Sequence, residues 1–256
     1  MPELPDIEVF AHNLKKLYAR KKLVKLKIVN GKKLKDKPAQ LTKALQGQTL
    51  KDVYRSGKEL RFQFSNQVLL GMHLMLTGDL IPFEGKNERK TTIVEFHFDD
   101  GKALALTDFM KNANIKLDPE DKGGVDALSK ELNYTYLKQV FQSKSAAKNI
   151  LLDQDIIRGI GNGYSDEILW EAGIHPFSIA EKIPDEKIRQ LPIIIKKELT
   201  TATKKILKNH PDLLYGEIKD YLKIHRKKES PTGRPIQMME KGGRKTFYTD
   251  EQVLYK

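Results

Sequence analysis

The first three residues, Met1-Pro2-Glu3, place a proline directly after the initiator methionine. Methionine is normally removed before a residue as small as proline, and its removal would expose a secondary α-amine. The pKa of such an amine lies at about 8 or slightly higher, so an appreciable neutral fraction exists at physiological pH. Attack of this amine on a sugar C1′ gives an iminium ion, an electron sink that favours loss of the base and then β-elimination of the 3′ phosphate. The adjacent Glu3 carboxylate could move protons to and from the sugar ring oxygen.

A second candidate site lies in the glycine-rich segment QDIIRGIGNGYSDEILWEAGIHP, residues 154–176. The pattern predicts tight turns followed by a helix that begins near Tyr164. The N–H groups at the start of that helix, together with the Asn162 side chain, would form a cradle for phosphate. Glycine at three alternate positions permits the close backbone approach that such a cradle needs. These positions are Gly159, Gly161 and Gly163.

The composition favours a polyanionic partner. Forty-six Lys and Arg residues against 34 Asp and Glu residues give a formal net charge of +12 and a pI near 9.5. Nucleic acid is the first expectation and an anionic membrane surface the second, with a merely lysine-rich surface as the alternative. The sequence has no cysteine, which excludes disulfides, thiolate zinc sites and thiol nucleophiles. Its six scattered histidines favour no metal site.

The chain carries no sign of membrane insertion or export. No apolar run approaches the roughly 18 residues that a membrane-spanning helix needs. The start MPELPDIE is acidic and contains proline, unlike a signal or transit peptide. We therefore expect a cytoplasmic protein, associated with the nucleoid if the source is bacterial.

The hydrophobic periodicity predicts an α+β protein with a β-rich first half and a helical second half. Residues 6–18 have the spacing of an amphipathic helix, and a period of two from about 23 to 117 indicates a β-sandwich or barrel. Beyond a linker at 117–129, helices are predicted up to residue 224, and a β-hairpin follows. The predicted helices cover 134–142, 145–152, 165–172, 186–209 and 213–224. The predicted domains are 1–120 (β-rich, catalytic), 121–228 (helical) and 229–256 (hairpin).

Five motifs, taken together and in order, resemble the formamidopyrimidine-DNA glycosylase and endonuclease VIII family. They are MPELPDIE, GKEL, MHLMLTG, GIGNGYSDEILWEAGIHP and GRPI…GGRKTFY, and they run from residue 2 to residue 248. The resemblance implies a β-sandwich domain and a helical domain with a helix–two-turn–helix, with the lesion site between them. It also implies a bifunctional DNA glycosylase and AP lyase that acts in base-excision repair. Damaged double-stranded DNA would be the partner, and we expect a monomer without a cofactor.

The resemblance also assigns roles to individual residues. Pro2 would be the nucleophile and Glu3 the acid and base. Lys58, expected on the strand after the Ser56-Gly57 turn, would contact a phosphate near the lesion as a point charge.

The phosphates that flank an extruded nucleotide would be held by the glycine-rich turn and the terminal hairpin. The resemblance gives this role to Asn162 with Gly161, and to Arg244, whose guanidinium can bind phosphate oxygens in a bidentate manner. Extrusion is needed because the reacting sugar carbon and the base edge are inaccessible within the stacked duplex.

The sequence departs from the family pattern in the terminal hairpin. Most members hold this hairpin around zinc with four cysteines, whereas Thr232, Thr249 and Gln252 fall near those positions here. We therefore predict a zincless finger with no metal site. Apolar packing would stabilise the hairpin instead, and the residues expected to provide it are Ile236, Phe247 and Tyr248.

Two further departures affect recognition of the lesion. Leu76 stands where the family usually places methionine, and Met110 and Asn112 stand where arginine and phenylalanine are usual. Leu76 or Met110 could still insert as an apolar wedge, whereas hydrogen bonding of an arginine to the orphaned base is lost. The PELP start favours the formamidopyrimidine branch, but the short segment 215–228 favours the pyrimidine-specific branch, so the preferred lesion stays open.

Two other classes of protein compete with the enzyme. A non-catalytic DNA-lesion or DNA-structure binding protein would explain the altered wedge positions and the missing zinc. It would not explain why Pro2, Glu3, Lys58, Asn162 and Arg244 are all present. An unrelated basic RNA-binding protein would leave the five ordered motifs to chance.

Overall fold

The computed structural model describes residues 1–121 and 123–256. Backbone contacts divide these residues into two compact units. The first comprises residues 1–121 and 206–217, and the second comprises the described residues from 123 to 205 together with 218–256. Sheets dominate the first unit and helices the second, which confirms the predicted α+β class. The division into three domains stays a prediction.

The first unit contains two antiparallel four-stranded sheets and two helices. The strands are β1 Leu23–Ile28, β2 Leu50–Ser56, β3 Glu59–Phe64, β4 Leu69–His73, β5 Gly78–Glu84, β6 Thr92–Phe98, β7 Lys102–Asp108 and β8 Asn114–Leu117. The helices are α1 Leu4–Tyr18 and α2 Pro38–Leu45. One sheet has the strand order β1-β6-β7-β5 and the other β2-β3-β4-β8. Every neighbouring pair of strands is antiparallel.

The two sheets pack face to face around one apolar core, as a β-sandwich. The ring of Phe62 on β3 lies 6.5 Å from the ring of Phe96 on β6, the two rings being nearly parallel. Helix α1 contributes Phe10 and Leu14, both fully buried in the same core. The alternation of apolar residues correctly predicted a sandwich or barrel, of which the structure forms the sandwich that the family resemblance implied, and the apolar stripe of residues 6–18 predicted helix α1.

One element of this unit departs from the prediction, because helix α2 interrupts the region where we expected only strands. Strand β5 lies within that region although its sequence GDLIPFE contains Pro82. β5 is an edge strand, where a proline without an N–H group is tolerated.

The second unit is mainly helical and ends in a hairpin. Its elements are β9 Val125–Asp126, α3 Tyr134–Val140, α4 Ala147–Leu152, β10 Ile157–Arg158, α5 Asn162–Glu171, most of α6 Asp185–Asn209, β11 Gln237–Lys241 and β12 Arg244–Tyr248. β9 and β10 form a short parallel pair, and β11 pairs with β12 in antiparallel orientation. Within the described part of the chain, no helix is both long enough and apolar enough to cross a membrane.

The helix predicted over residues 213–224 is wrong, because the chain forms turns there. Gly216 has a φ of +79°, which ends any helical path. Further along, the N–H groups of Lys223, Ile224 and His225 donate to the Glu167 carboxylate at 2.6, 3.0 and 2.9 Å. These bonds replace the hydrogen bonds that a helix would form within the segment.

Candidate active site and nucleic-acid interface

The start of α1 fixes the position of the Pro2-Glu3 pair. The N–H of Glu3 donates to Oδ2 of Asp6 at 3.0 Å, and the N–H of Ile7 donates to the Glu3 carbonyl at 3.1 Å. Pro2 is buried, and Glu3 is 9% exposed. The pair is therefore part of the capped start of a helix and not a loose end of the chain.

The amino group of Met1 forms an ion pair with Glu217, a residue of the same unit. While Met1 is present, the nitrogen of Pro2 belongs to a peptide bond and cannot act as a nucleophile. Removal of Met1 would leave the secondary amine of Pro2 at the same helix start, next to the Glu3 carboxylate.

Lys58 lies in a turn and not on a strand, so that part of the prediction is wrong. The pair Ser56↔Glu59 closes the β2–β3 hairpin and leaves Gly57 and Lys58 as its two-residue loop. Gly57 has a φ of +59°, as the first position of such a loop favours.

The side chain of Arg55 connects this turn to α1. It donates to the Glu8 carboxylate at 2.7 Å and to the Gly57 carbonyl at 3.1 Å, and only 6% of its side chain is exposed. The turn that carries Lys58 is therefore tied to the helix that carries Pro2 and Glu3 at its start.

The predicted wedge residues Leu76 and Met110 lie in the turns after β4 and β7, and their exposures are 60% and 47%. Phe109, beside Met110, is 83% exposed and was not among the predicted wedge residues. Its place directly after the largely apolar segment KALALTD, a predicted strand, was the signal that could have found it. The structure thus offers three apolar side chains on two turns.

The Asp108 carboxylate organises both of these turns. It accepts the N–H groups of Met110, Asn112 and Ala113 at 2.9, 2.6 and 2.7 Å, and it also accepts the hydroxyl of Thr77 from the other turn. Burial alone would raise the pKa of Asp108, but these four hydrogen bonds outweigh it and the pKa is lowered. The carboxylate is therefore held ionised as the common anchor of the two turns.

In the second unit, the glycine-rich turn and the hairpin are joined directly. Gly161 precedes α5, and Asn162 is the first residue of that helix, two residues before the predicted start. Nδ2 of Asn162 donates to the Lys245 carbonyl at 2.9 Å, whereas Oδ1 is buried and accepts no hydrogen bond from the residues that the structure describes. Arg244, the neighbour of Lys245, begins β12 directly after the Gly242-Gly243 turn. The structure therefore brings the two predicted phosphate contacts, Asn162 and Arg244, onto adjoining elements.

Arg244 is exposed, and among the described residues its guanidinium has no hydrogen-bond or ion-pair partner. It lines a pocket of about 240 Å³ together with Lys148 and Lys241. Lys241 and Arg244 are both exposed on this concave surface, and two such basic side chains are suited to bind phosphate.

Beneath this surface, Asp166 of α5 connects three segments. It accepts Lys148 Nζ at 2.6 Å, lies 2.7 Å from His225 Nδ1, and accepts the Phe247 N–H at 3.2 Å. Asp166 is fully buried, and the Lys148 and His225 side chains are 4% and 3% exposed. Charges so deeply buried are stable only when they are paired.

The predicted packing of the hairpin through Phe247 and Tyr248 is confirmed. The Phe247 ring lies 4.8 Å from the ring of His225, and the Tyr248 ring lies 4.4 Å from the ring of His175. Burial lowers the pKa of His175, so the neutral ring packs against Tyr248. Ile236 is only half-buried. Within the ranges 1–121 and 123–256, no three or more His, Cys, Asp or Glu residues form a group that could hold a metal ion.

Comparison with known proteins gives a consistent result. The family model described as the formamidopyrimidine-DNA glycosylase N-terminal domain matches residues 1–115, and that described as the formamidopyrimidine-DNA glycosylase H2TH domain matches residues 124–210. The chain is 33% identical to the formamidopyrimidine-DNA glycosylase of Lactobacillus gasseri, with 100% of both chains covered. It is 31% identical to that of Mycoplasma genitalium, with 97% of this chain and 94% of the relative covered.

Solved structures resemble the chain over nearly its whole length. A complex between the LlFpg protein, a THF-DNA and an inhibitor has a TM-score of 0.88 at 25% identity, covering 98% of this chain and 99% of the other. A structure of MutM with carbocyclic 8-oxo-G containing DNA has the same TM-score, identity and coverage.

Proposed function

Because the chain belongs to the formamidopyrimidine-DNA glycosylase family, we propose that its amino-terminal proline is the nucleophile with which it excises damaged bases from DNA. The protein is a DNA glycosylase and AP lyase of base-excision repair. The observation that carries the assignment of the nucleophile is the capped start of α1, which holds Pro2 and Glu3 in a buried, defined position. A non-catalytic DNA-binding role is not favoured.

The reaction follows from the chemistry of a secondary amine. After Met1 is removed, the neutral nitrogen of Pro2 attacks C1′ of the damaged nucleotide, a C1′–N bond forms, and the base leaves with a proton. Glu3 exchanges a proton with the sugar ring oxygen as the ring opens to the iminium. Loss of a proton from C2′ then expels the 3′ phosphate, and hydrolysis of the iminium returns the free amine.

The remaining candidate residues position the DNA. Lys58 would contact a phosphate near the lesion from its turn, and Asn162 and Arg244 would hold the flanking phosphates, with the positive end of the α5 dipole at Gly161 contributing. Of the three apolar side chains on the turns after β4 and β7, Phe109 is the most exposed and joins Leu76 and Met110 as a candidate wedge.

The partner is double-stranded DNA with an oxidised base. We place the protein in the cytoplasm, at the nucleoid in a bacterium, because its substrate is the genome. We also propose that it acts as a monomer, since one chain supplies both the nucleophile and the phosphate contacts.

The decisive experiment is borohydride trapping on a duplex with an abasic site. Protein with a free Pro2 amine should become cross-linked to the DNA, and mass spectrometry should place the DNA on the amino-terminal peptide. The matched control is the same protein with an amino-terminal tag retained, which should bind DNA but not be trapped. Pro2→Gly should be trapped less while binding is preserved. Equal trapping of the tagged protein would assign the nucleophile to a lysine instead.

A further inference from the structure

The Glu251 carboxylate, just beyond β12, accepts hydrogen bonds from four side chains. The donor distances are 2.6 Å from Thr232 Oγ1, 3.0 Å from Thr249 Oγ1, 3.3 Å from Ser230 Oγ and 3.3 Å from Trp170 Nε1. Three of these donors converge on Oε2 and one, Thr232, donates to Oε1, so both carboxylate oxygens are engaged. We refer to these five residues as the Glu251 cluster.

The Glu251 cluster joins three parts of the second unit. Trp170 lies on α5, Ser230 and Thr232 precede β11, and Thr249 follows β12. Along the chain, Trp170, Ser230 and Thr232 lie 81, 21 and 19 residues from Glu251. One carboxylate therefore links both ends of the hairpin to the helix that begins with Asn162.

The neighbouring residue strengthens the same connection. Gln252 is 6% exposed; its Oε1 accepts the Thr249 N–H at 2.9 Å, and its Nε2 donates to the Ile174 carbonyl at 2.8 Å. The backbone around Glu251 is thus fixed on both sides, so the carboxylate does not depend on a flexible end of the chain for its position.

The Glu251 cluster has the opposite arrangement of charges to a thiolate zinc site. Such a site gathers anionic ligands around a cation, whereas here neutral hydroxyl and indole donors surround an anion. Charge-assisted hydrogen bonds of this kind are roughly twice as strong as neutral ones. Two of the cluster residues, Thr232 and Thr249, lie near the positions where most relatives are expected to carry zinc-binding cysteines.

We propose that Glu251 is a positioning residue that holds the hairpin, and through it Arg244, in place for DNA binding. This inference rests on the proposed function, because Arg244 matters only if the hairpin meets DNA. Glu251 acts at one end of the hairpin, and the bond from Asn162 to the Lys245 carbonyl acts next to Arg244. If the Glu251 end is released, β12 keeps the bonds nearer Arg244, from Asn162 to the Lys245 carbonyl and from the Phe247 N–H to Asp166, but the ends of the hairpin lose their link to α5.

The cluster should respond to pH in a defined direction. The pKa of Glu251 is lowered, and the hydrogen bond from Thr232 has the largest effect on it. Desolvation acts in the opposite direction, and the hydrogen bonds from Thr249, Trp170 and Ser230 lower the pKa further. A lowered pKa means that the contribution is present above the unfolded value of about 4.3 and is lost as the pH falls through the folded value. Two sets of charged groups lie nearby. Arg234 and Asp250 form an ion pair at 3.9 Å. Lys223 forms ion pairs with Glu171 and Glu198, and its Nζ lies 5.6 Å from the centre of the Trp170 ring.

Trp170 makes the cluster directly observable, because it is the only tryptophan of the chain. Its fluorescence should change in an acid transition centred below the ordinary pKa of glutamate as the indole N–H loses its ionised acceptor. Glu251→Gln should abolish this transition, and a chelator should leave the fluorescence unchanged. The matched control is Glu240→Gln, since Glu240 is an exposed acid on β11 of the same hairpin. An unaltered transition in Glu251→Gln would overturn the proposal.

DNA binding provides the second measurement. A comparison of Glu251→Gln with Glu240→Gln distinguishes the effect of hairpin position from the effect of net charge. Both remove one negative charge from the hairpin, which by Coulomb attraction alone should strengthen binding to DNA. We expect Glu240→Gln to bind an abasic-site duplex as the parent protein does or slightly better, and Glu251→Gln to bind about tenfold more weakly. The single-turnover rate at saturating protein should be nearly unchanged, as a positioning residue predicts. Binding of Glu251→Gln equal to that of Glu240→Gln would contradict a role in positioning.

A third variant protects the test against simple misfolding. Thr232→Val removes one donor and keeps the shape, so it should weaken binding in the parent protein but have no further effect in Glu251→Gln, because the two residues act as a pair. Independent, additive effects would count against the cluster. If the parent protein fails to bind lesion DNA although its acid transition depends on Glu251, the proposed function fails and the link between the hairpin and α5 stands.

Discussion

Asp108 in the first unit and Asp166 in the second both organise segments that we propose meet DNA, but their partners come from different distances along the chain. Asp108 accepts N–H groups from residues two to five positions further on, and one hydroxyl 31 residues away. The partners of Asp166 lie 18, 59 and 81 residues away. Asp108 therefore shapes a turn from within, whereas Asp166 assembles a surface from separate segments. Removal of the Asp108 carboxylate should destabilise the structure locally, whereas removal of the Asp166 carboxylate should destabilise the whole second unit.

The largest effect expected from this comparison is that of Lys148→Met. It would leave the buried Asp166 carboxylate without its cation, and breaking a buried pair in this way costs about 3–5 kcal/mol in the free energy of unfolding. Chemical denaturation measures the loss. Lys197→Met is the matched control, because Lys197 is 61% exposed and pairs with Glu171 at the surface, where such pairs contribute at most about 1 kcal/mol. Similar losses in the two variants would show that the buried network is not an anchor.

The second effect, smaller and confined to the turns after β4 and β7, is that of Asp108→Asn. The amide can accept fewer N–H groups than the carboxylate, and an unsatisfied buried group costs about 1–3 kcal/mol. Hydrogen exchange of the Asn112 and Ala113 amides should accelerate, while amides of the second unit keep their protection. The lowered pKa of Asp108 means that its contribution is present above the unfolded value of about 3.9 and is lost as the pH falls through the folded value. Faster exchange in the second unit as well would contradict a local role.

The smallest effect concerns the surface that the Asp166 network supports. Arg244 is exposed, so Arg244→Ala should change the free energy of unfolding by no more than about 0.5 kcal/mol. It should weaken binding to all DNA sequences alike and make the dependence of log K on log salt shallower by about one unit. Binding measured across a salt series tests this. An unchanged slope together with an altered base preference would mean that Arg244 contacts a base and not a phosphate.

The success of the sequence-based predictions for individual residues follows the same division between local and distant contacts. The sequence predicted α1, the paired strands and the terminal hairpin, because their periodicity and turn glycines lie within short segments. It misplaced Lys58 by setting the turn at Ser56-Gly57 instead of Gly57-Lys58, and it predicted a helix at 213–224 where the Glu167 carboxylate accepts backbone N–H groups. Both errors arose where hydrogen bonding across a turn or from another element overrides local preference.

By itself, the sequence determined the chemistry available to this protein: a proline and a glutamate at its start, a glycine-rich turn before a helix, a large positive charge and no cysteine. These features depend on residue type and on neighbours within a few positions. Only the tertiary structure decided how the hairpin is held, by Asp166 and Glu251 through partners up to 81 residues away. Periodicity carries no information about such contacts, because one serine, threonine or glutamate resembles any other until folding brings its partner within hydrogen-bond distance.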